Sequence, residues 1–248
     1  LISELLSEIE LYYLQGLKKS DLEYEITGAE HHHIVHVMKH TTGGIIHVTD
    51  GVGNLYECTL LSTDKKSAVL SVRFLLSKPQ RFPTVWFCLP LLKSSDRMEF
   101  CLEKLVELGF ANFLYYRAKR SVSQSKRFPE ERMEKIAIAA MQQSLNLWRP
   151  TMLVDYGLET LRTVGDGQVI VFEAVGGNSI ETLSAELIQE QKIPFYLLFG
   201  PEGGLTPEEM NKFPGARITR LTKNRLRAET AALYTGSVLS SCLENMLQ

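Results

Sequence analysis

Residues 195–209 read Phe195-Tyr196-Leu197-Leu198-Phe199-Gly200-Pro201-Glu202-Gly203-Gly204-Leu205-Thr206-Pro207-Glu208-Glu209. The first five are apolar without alternation, the signature of a short strand buried on both faces, as in a parallel sheet covered by helices. Glycines at 200, 203 and 204 follow at once, and such residues accept positive φ and let bare backbone approach a ligand. That suits a flat aromatic ring held by amide and carbonyl groups, although a glycine turn also serves simply to reverse a chain. Thr206 is a good N-cap, Pro207 suits the first helical position, and Glu209 falls where a capping-box carboxylate reaches back. Glu209 therefore reads as structural, whereas Glu202 precedes the helix and stays available for chemistry. The loop lacks the Gly-Lys-Ser/Thr ending of a phosphate-gripping loop. It also stands late in the chain, whereas a dinucleotide fingerprint or a doubly wound methyltransferase would place its glycines early, after the first strand.

The same strand-then-helix alternation extends outward. Strands are expected at 85–89, 113–116 and 169–172, and helices at 96–109, 130–145, 180–190, from Thr206 and from about Arg227. Strands followed by helices mean a mostly parallel sheet covered on both faces, with ligands beyond the carboxyl ends of the strands. Before residue 76 the pattern differs. Alternating segments at 45–48, 55–60 and 68–72 are separated by Gly43-Gly44, Asp50-Gly51-Val52-Gly53-Asn54 and Ser62-Thr63-Asp64, which reads as a small β-rich barrel. Lys78-Pro79-Gln80-Arg81-Phe82-Pro83 forms the linker, because both prolines fix φ and lack an amide donor. Two domains result, 10–76 and 84–248, and the residues before about Glu10 read as an extension.

The 248 residues, 44% hydrophobic and 23% charged, fit an ordinary globular protein and exclude collagen-like, coiled-coil and disordered chains. The longest apolar run, the eight residues Val85 to Leu92, falls far short of the roughly 20 needed to span a bilayer. Leu1 to Glu10 carries three glutamates and no basic residue, unlike a secretory signal, so a cytoplasmic location is expected. Cysteines at 58, 88, 101 and 242 include no C-x-x-C pair, which argues against a disulfide framework or a thiolate zinc site. All six histidines lie between 31 and 47, with His32, His36 and His40 at helical spacing. No H-E-x-x-H motif accompanies them, so they read as a polar or half-buried helix face and no metal is expected.

The net charge of −2 conceals polarity: residues 1–30 hold seven acids and two lysines. Two runs without any acid, Ala111 to Phe128 and Ala216 to Ala228, hold ten of the 27 cations and point to a polyanionic partner. Tyr115, Tyr116 and Phe128 flank the first run. Stacking on an extruded base is one use for them, but a place on the buried face of the strand is the preferred reading.

Gly200-Pro201-Glu202-Gly203-Gly204 together with Leu226-Arg227-Ala228-Glu229-Thr230-Ala231-Ala232-Leu233 resembles the ribosomal RNA small subunit methyltransferase E family, within the SPOUT class of knotted methyltransferases. Lys104-Leu105-Val106-Glu107-Leu108-Gly109 and Gln143-Ser144 are similar to further stretches of that family. The resemblance implies an α/β fold with an N-terminal PUA-like β-barrel that binds RNA, followed by a SPOUT domain with a parallel sheet and a C-terminal trefoil knot. It implies a homodimer that uses S-adenosylmethionine to methylate N3 of a uridine in 16S rRNA of the small ribosomal subunit. The cofactor site it implies is built from loops near Glu173-Ala174, from Leu198 through Gly204 and from Leu221 through Leu226. Leu198, Phe199, Gly200, Gly203, Leu221 and Leu226 are its candidate residues. The chain departs from the pattern at Thr222, Asn224 and Arg225, at Met38-Lys39 and at Asn146. Lys39 keeps the charge of the family's arginine but not the planar fork that grips phosphate.

The proton on a uridine N3 has to leave before or as the nitrogen attacks a methyl group, and the developing uracil anion needs stabilisation. Arg227 is the candidate for that stabilisation, since a guanidinium cannot act as a base. Glu229 is the candidate proton acceptor, directly or through water, or else the holder of Arg227, with Glu202 as the other carboxylate. Arg117, Arg120, Lys126, Arg127 and Lys39 are the candidate RNA-binding residues. Two other functions compete: an RNA-binding protein of this fold without catalysis, and a knotted methyltransferase acting on tRNA or another rRNA site.

Overall fold

A computed structural model of the chain describes residues 9–121, 128–155, 158, 161, 167–173, 177–189 and 192–247. They separate into two units, one reaching to Gln80 and including Met141–Arg149, the other formed by Arg81–Ala140 and the chain from Pro150 onward.

The first unit is built on a five-stranded sheet. Its strands are β1 (Leu11–Tyr13), β2 (Glu23–Thr27), β3 (Ile45–Thr49), β4 (Asn54–Thr63) and β5 (Ser67–Ser77), in the order β1-β3-β4-β5-β2. All neighbours are antiparallel except β1 and β3. Alternation puts Ile46 and Val48, Tyr56, Cys58 and Leu60, and Ala68, Leu70 and Val72 into one core, because successive side chains point to opposite faces of a strand. The sheet stays open: β1 and β2 are its edges, so a half-barrel stands where the sequence suggested a barrel.

Between β2 and β3 the helix α1 (Gly28–His31) passes directly into a π-helical turn, His32–Val37. A π turn aligns residues five apart, and His31 meets His36 at 5.2 Å between ring centroids, while His32 lies 5.5 Å from His36. The turn ends before Lys39, whose φ is +58°, so His40 is off the helix and instead contacts the Tyr12 hydroxyl at 2.9 Å. The expected spacing of three histidines along one helix thus holds only for the first two. Among the described residues no group of three or more histidine, cysteine or carboxylate side chains is placed to hold a metal ion.

Residues 141–149 join this unit although they lie beyond the linker in sequence. Gly53 N–H donates to Leu147 O, Arg149 N–H donates to Gly51 O, and the Trp148 indole donates to Lys78 O. Gly53 has φ +91°, and a Cβ there would lie 2.6 Å from Lys78 O and 2.7 Å from the Trp148 ring. Only glycine fits that crossing.

The second unit is a seven-stranded sheet, parallel throughout. In chain order its elements are β6 (Val85–Pro90), α2 (Ser95–Glu107), β7 (Asn112–Tyr116), α3 (Glu130–Gln143), β8 (Thr151–Asp155), β9 (Gln168–Phe172) and β10 (Asn178–Ser179). They continue as α4 (Ile180–Gln189), β11 (Phe195–Phe199), α5 (Pro207–Met210), β12 (Arg217–Arg220) and α6 (Ala228–Leu247). The sheet order is β10-β12-β9-β11-β6-β7-β8. All five residues of β11 and all five of β7 are buried; β11 is apolar throughout, and the one polar residue of β7, Asn112, donates its side-chain amide to Pro83 O at 3.1 Å. β8 and β12 are not apparent from periodicity, because Thr151–Asp155 and Arg217-Ile218-Thr219-Arg220 mix charge or polarity with apolar residues.

α6 packs against α2, α4, β6 and β11. The approach to α2 depends on Gly236, where a Cβ would come within 2.7 Å of Leu105 Cδ2 and 3.3 Å of the Phe110 ring. Among the described residues no helix is long and apolar enough to cross a membrane.

Candidate active site

Strand order decides where the site lies. β9 and β11 are neighbours, with β12 on the other flank of β9, so the segments that leave their carboxyl ends converge on one edge of the sheet. There a cavity of about 810 Å³ is lined by Phe172 and Glu173 after β9, by Phe199 to Leu205 after β11, and by Leu221, Thr222 and Asn224 to Ala228 after β12. Its size falls within the roughly 300–1,000 Å³ of ordinary small-molecule sites.

Each wall has a physical mount. The Tyr116 hydroxyl, fully buried at the end of β7, donates to Phe199 O at 2.6 Å and fixes the point where the glycine loop begins. Burial holds its phenol well above its ordinary pKa, so it remains a donor. Gly204 N–H then donates to Pro201 O at 2.8 Å, closing a tight turn that Gly204 completes with φ +69°. Gly203 is needed for a different reason: a Cβ would meet Arg120 Cβ at 2.9 Å. At Gly200 a Cβ would find only ordinary contacts, beginning at 3.6 Å, and would stand against the cavity.

The capping box foreseen at Thr206 is present, with Glu209 N–H donating to Thr206 Oγ1 at 3.2 Å and Thr206 N–H donating to Glu209 Oε2 at 2.8 Å. Glu209 is only 2% exposed and its Oε1 also accepts from Lys119 N–H at 2.7 Å, so it fastens the chain after β7 to the start of α5. The Lys119 ammonium pairs with Glu208 beside it.

The third wall is tied to the second. Arg225 Nη2 donates to Glu202 O at 2.6 Å, and Arg120 Nη1 donates to Gly203 O at 3.2 Å. Thr222 Oγ1 both accepts from Asn224 N–H and donates to Asn224 O, so the departures at 222 and 224 form one local turn.

Of the sequence-derived candidates, Phe199, Gly200, Gly203, Leu221, Leu226, Arg120 and Arg227 line the cavity. Leu198 does not; its side chain is fully buried in the core with Cys88, Leu114 and Val171. Arg227 is exposed at the rim. Glu229 is not on that wall. Its side chain is 11% exposed, lies 3.6 Å from Arg97 Nε through Oε1, and leaves Oε2 buried without a hydrogen-bond partner among the described residues. It borders a small adjoining void of about 10 Å³ with Leu89, Met98, Cys101 and Tyr115. Ala228 borders both spaces.

Arg120, read from sequence as an RNA contact, touches the glycine loop, and Arg117 is half-buried. Lys126 and Arg127 lie outside the described residues. Lys39 is exposed in the first unit just after the π turn. Tyr115 and Tyr116 are both fully buried, as preferred, and the Tyr115 ring packs 4.6 Å from that of Phe128. Arg97 escaped the reading, although the same carboxyl-end rule applied to β6 points to residues just beyond Pro90.

Residues 79–240 match the family described as RNA methyltransferase domain, and residues 26–73 match that described as RNA methyltransferase PUA domain. The chain is 28% identical over 247 residues to the ribosomal RNA small subunit methyltransferase E of Bacillus subtilis (strain 168), covering 94% of this chain and 96% of the relative. A probable rRNA-methyltransferase from Porphyromonas gingivalis superimposes with a TM-score of 0.78 at 28% identity, covering 94% of this chain and 99% of the other. The fold is shared as well with the ribosomal RNA small subunit methyltransferase E of Neisseria gonorrhoeae bound to S-adenosyl methionine, at a TM-score of 0.78 and 20% identity, covering 95% and 98% of the two chains.

Proposed function

The chain belongs to the RNA methyltransferase family, and from that premise we propose that it is an S-adenosylmethionine-dependent enzyme methylating N3 of a uridine in 16S rRNA of the small ribosomal subunit. The observation that carries the proposal is the convergence of the loops after β9, β11 and β12 on one cavity, with Arg227 at its rim. The residues present fit the cofactor. Gly200 and Gly204 leave space where side chains would stand, and Glu173 and Glu202 offer negative charge to a sulfonium cation.

Phe199, Gly200, Gly203, Leu221 and Leu226 would hold the nucleoside end by backbone and apolar contact, with Leu198 contributing through its main chain. When bound, the cofactor supplies the electrophilic methyl group on sulfur. Arg227 stabilises the uracil anion as it forms, because a guanidinium stays charged and a cation at the cavity rim opposes that developing charge. Glu229 takes the N3 proton through water, its unpaired Oε2 being the available acceptor. Arg117, Arg120, Lys126, Arg127 and Lys39 neutralise rRNA phosphates. Residues 10–76 serve as the RNA-binding domain and 84–248 as the catalytic one.

Three further features belong to the same proposal. The placement of β11 between β9 and β6, with α6 returning onto β6 and β11, supports a C-terminal trefoil knot. A homodimer acting in the cytoplasm follows from the resemblance to the family.

Incubation with tritium-labelled cofactor and small subunits from cells lacking this activity tests the function. Label mapped by mass spectrometry to N3 of one 16S uridine supports it, together with loss of label in Arg227→Ala at unchanged S-adenosylhomocysteine affinity. Absence of label on any RNA, despite RNA binding, would leave the non-catalytic reading; label on tRNA would move the target.

A further inference from the structure

We propose that Arg97 is a positioning residue that holds Glu229 and Glu202 about one guanidinium and thereby fixes the proton acceptor relative to the glycine loop. The inference rests on the assignment of Glu229 made above and deepens it.

Arg97 stands in the first turn of α2, just beyond the carboxyl end of β6. Its Nε lies 3.6 Å from Glu229 Oε1 and its Nη1 lies 3.8 Å from Glu202 Oε1. These are ion pairs rather than tight hydrogen bonds. One carboxylate belongs to the first turn of α6 and the other to the loop after β11, so a single cation joins the two segments that meet at the cavity.

A cation in the first turn of a helix opposes the macrodipole, so α2 gains nothing from this residue as a helix. Its compensation comes from the two carboxylates, which would otherwise repel one another. The pair with Glu229 is the better shielded, since that side chain is 11% exposed against 41% for Glu202. Engaging Oε1 leaves Oε2 as the buried oxygen without a hydrogen-bond partner among the described residues, in a side chain that borders the small void whose lining shares Ala228 with the large cavity.

The mount beneath this arrangement is rigid. Met98 and Cys101, on the turn of α2 that follows Arg97, are buried, and the Cys101 thiol lies 4.0 Å from Glu229 O. Gly236 lets α2 and α6 approach closely enough for that contact. An arginine on an exposed, mobile mount would not define the direction of a carboxylate; this one is held by packing on both helices.

A double-mutant cycle on the full chain tests the inference, with Arg97→Ala, Arg97→Lys, Glu229→Gln and the Arg97→Ala/Glu229→Gln pair. Turnover on unmethylated small subunits, S-adenosylhomocysteine affinity by calorimetry and melting temperature are measured for each. Arg97→Ala is expected to lower kcat by about tenfold or more, Arg97→Lys to restore most of it, and the double variant to fall no further than about twofold below Glu229→Gln. S-adenosylhomocysteine affinity should change by less than about threefold in Arg97→Lys. Multiplying effects in the double variant, or full kcat in Arg97→Ala, would overturn the inference while leaving the methyltransferase assignment standing. A wild-type chain that neither binds S-adenosylhomocysteine nor methylates RNA would overturn the assignment, and the inference with it.

Discussion

The Tyr116 hydroxyl donates a 2.6 Å hydrogen bond to the carbonyl of Phe199, across two strands of the same sheet and wholly out of solvent. β7 and β11 are separated in the sheet by β6, so this bond bridges over a neighbour to reach the last residue before the glycine loop. Tyr116→Phe removes the donor and strands a buried carbonyl. A loss of about 1–3 kcal/mol in urea denaturation is expected, with weaker S-adenosylhomocysteine binding because the loop's starting point is no longer fixed.

The glycines of the loop should separate by cause. Gly200→Ala places a methyl at ordinary contact distance from the protein but against the cavity, so its melting temperature should stay near wild type while calorimetric S-adenosylhomocysteine affinity falls. Gly203→Ala drives a Cβ toward the Arg120 side chain and backbone, and should lower both stability and affinity. Equal melting temperatures for the two variants would contradict this division.

Glu209 accepts two backbone N–H groups, from Thr206 and Lys119, while almost wholly buried. Glu209→Ala leaves both donors without their partner and should cost about 2–4 kcal/mol in chemical denaturation. Thr206→Ala removes only one half of the capping box and should cost about 1 kcal/mol.

Burial pushes the Cys101 thiol up to about 12, helped by the charge of Glu229, and pushes Cys58 up to about 12 as well. Both groups remain neutral thiols in the folded chain at pH 8, and Cys88 is equally buried. Ellman's reagent should therefore titrate at most one thiol per native chain, the half-buried Cys242, and all four after unfolding. The sign for stability follows. A raised folded-state pKa favours the protonated form in the native chain, so the contribution is complete below pH 9 and is lost as pH rises from there toward 12. The denaturation midpoint should fall between pH 8 and pH 10.5, and fall less in Cys101→Ala.

The sequence alone determined the buried strand at 195–199, the glycine turn, the capping box at Thr206 and Glu209, and the change from alternating strands to strand-helix units near residue 80. All of these are written in residues close together in the chain, where φ preference, side-chain period and capping act over a few positions. Tertiary structure decided the rest. It placed β9 beside β11, opened the first sheet into a half-barrel, drew 141–149 onto that sheet, and moved Glu229 off the main cavity wall to face Arg97, 132 positions earlier in the chain. Local preference carries no information about which distant segments will meet. Arg97 and Glu229 meet because α2 packs against α6, which also rests on β6 and β11, and Gly236 permits the close approach of the two helices.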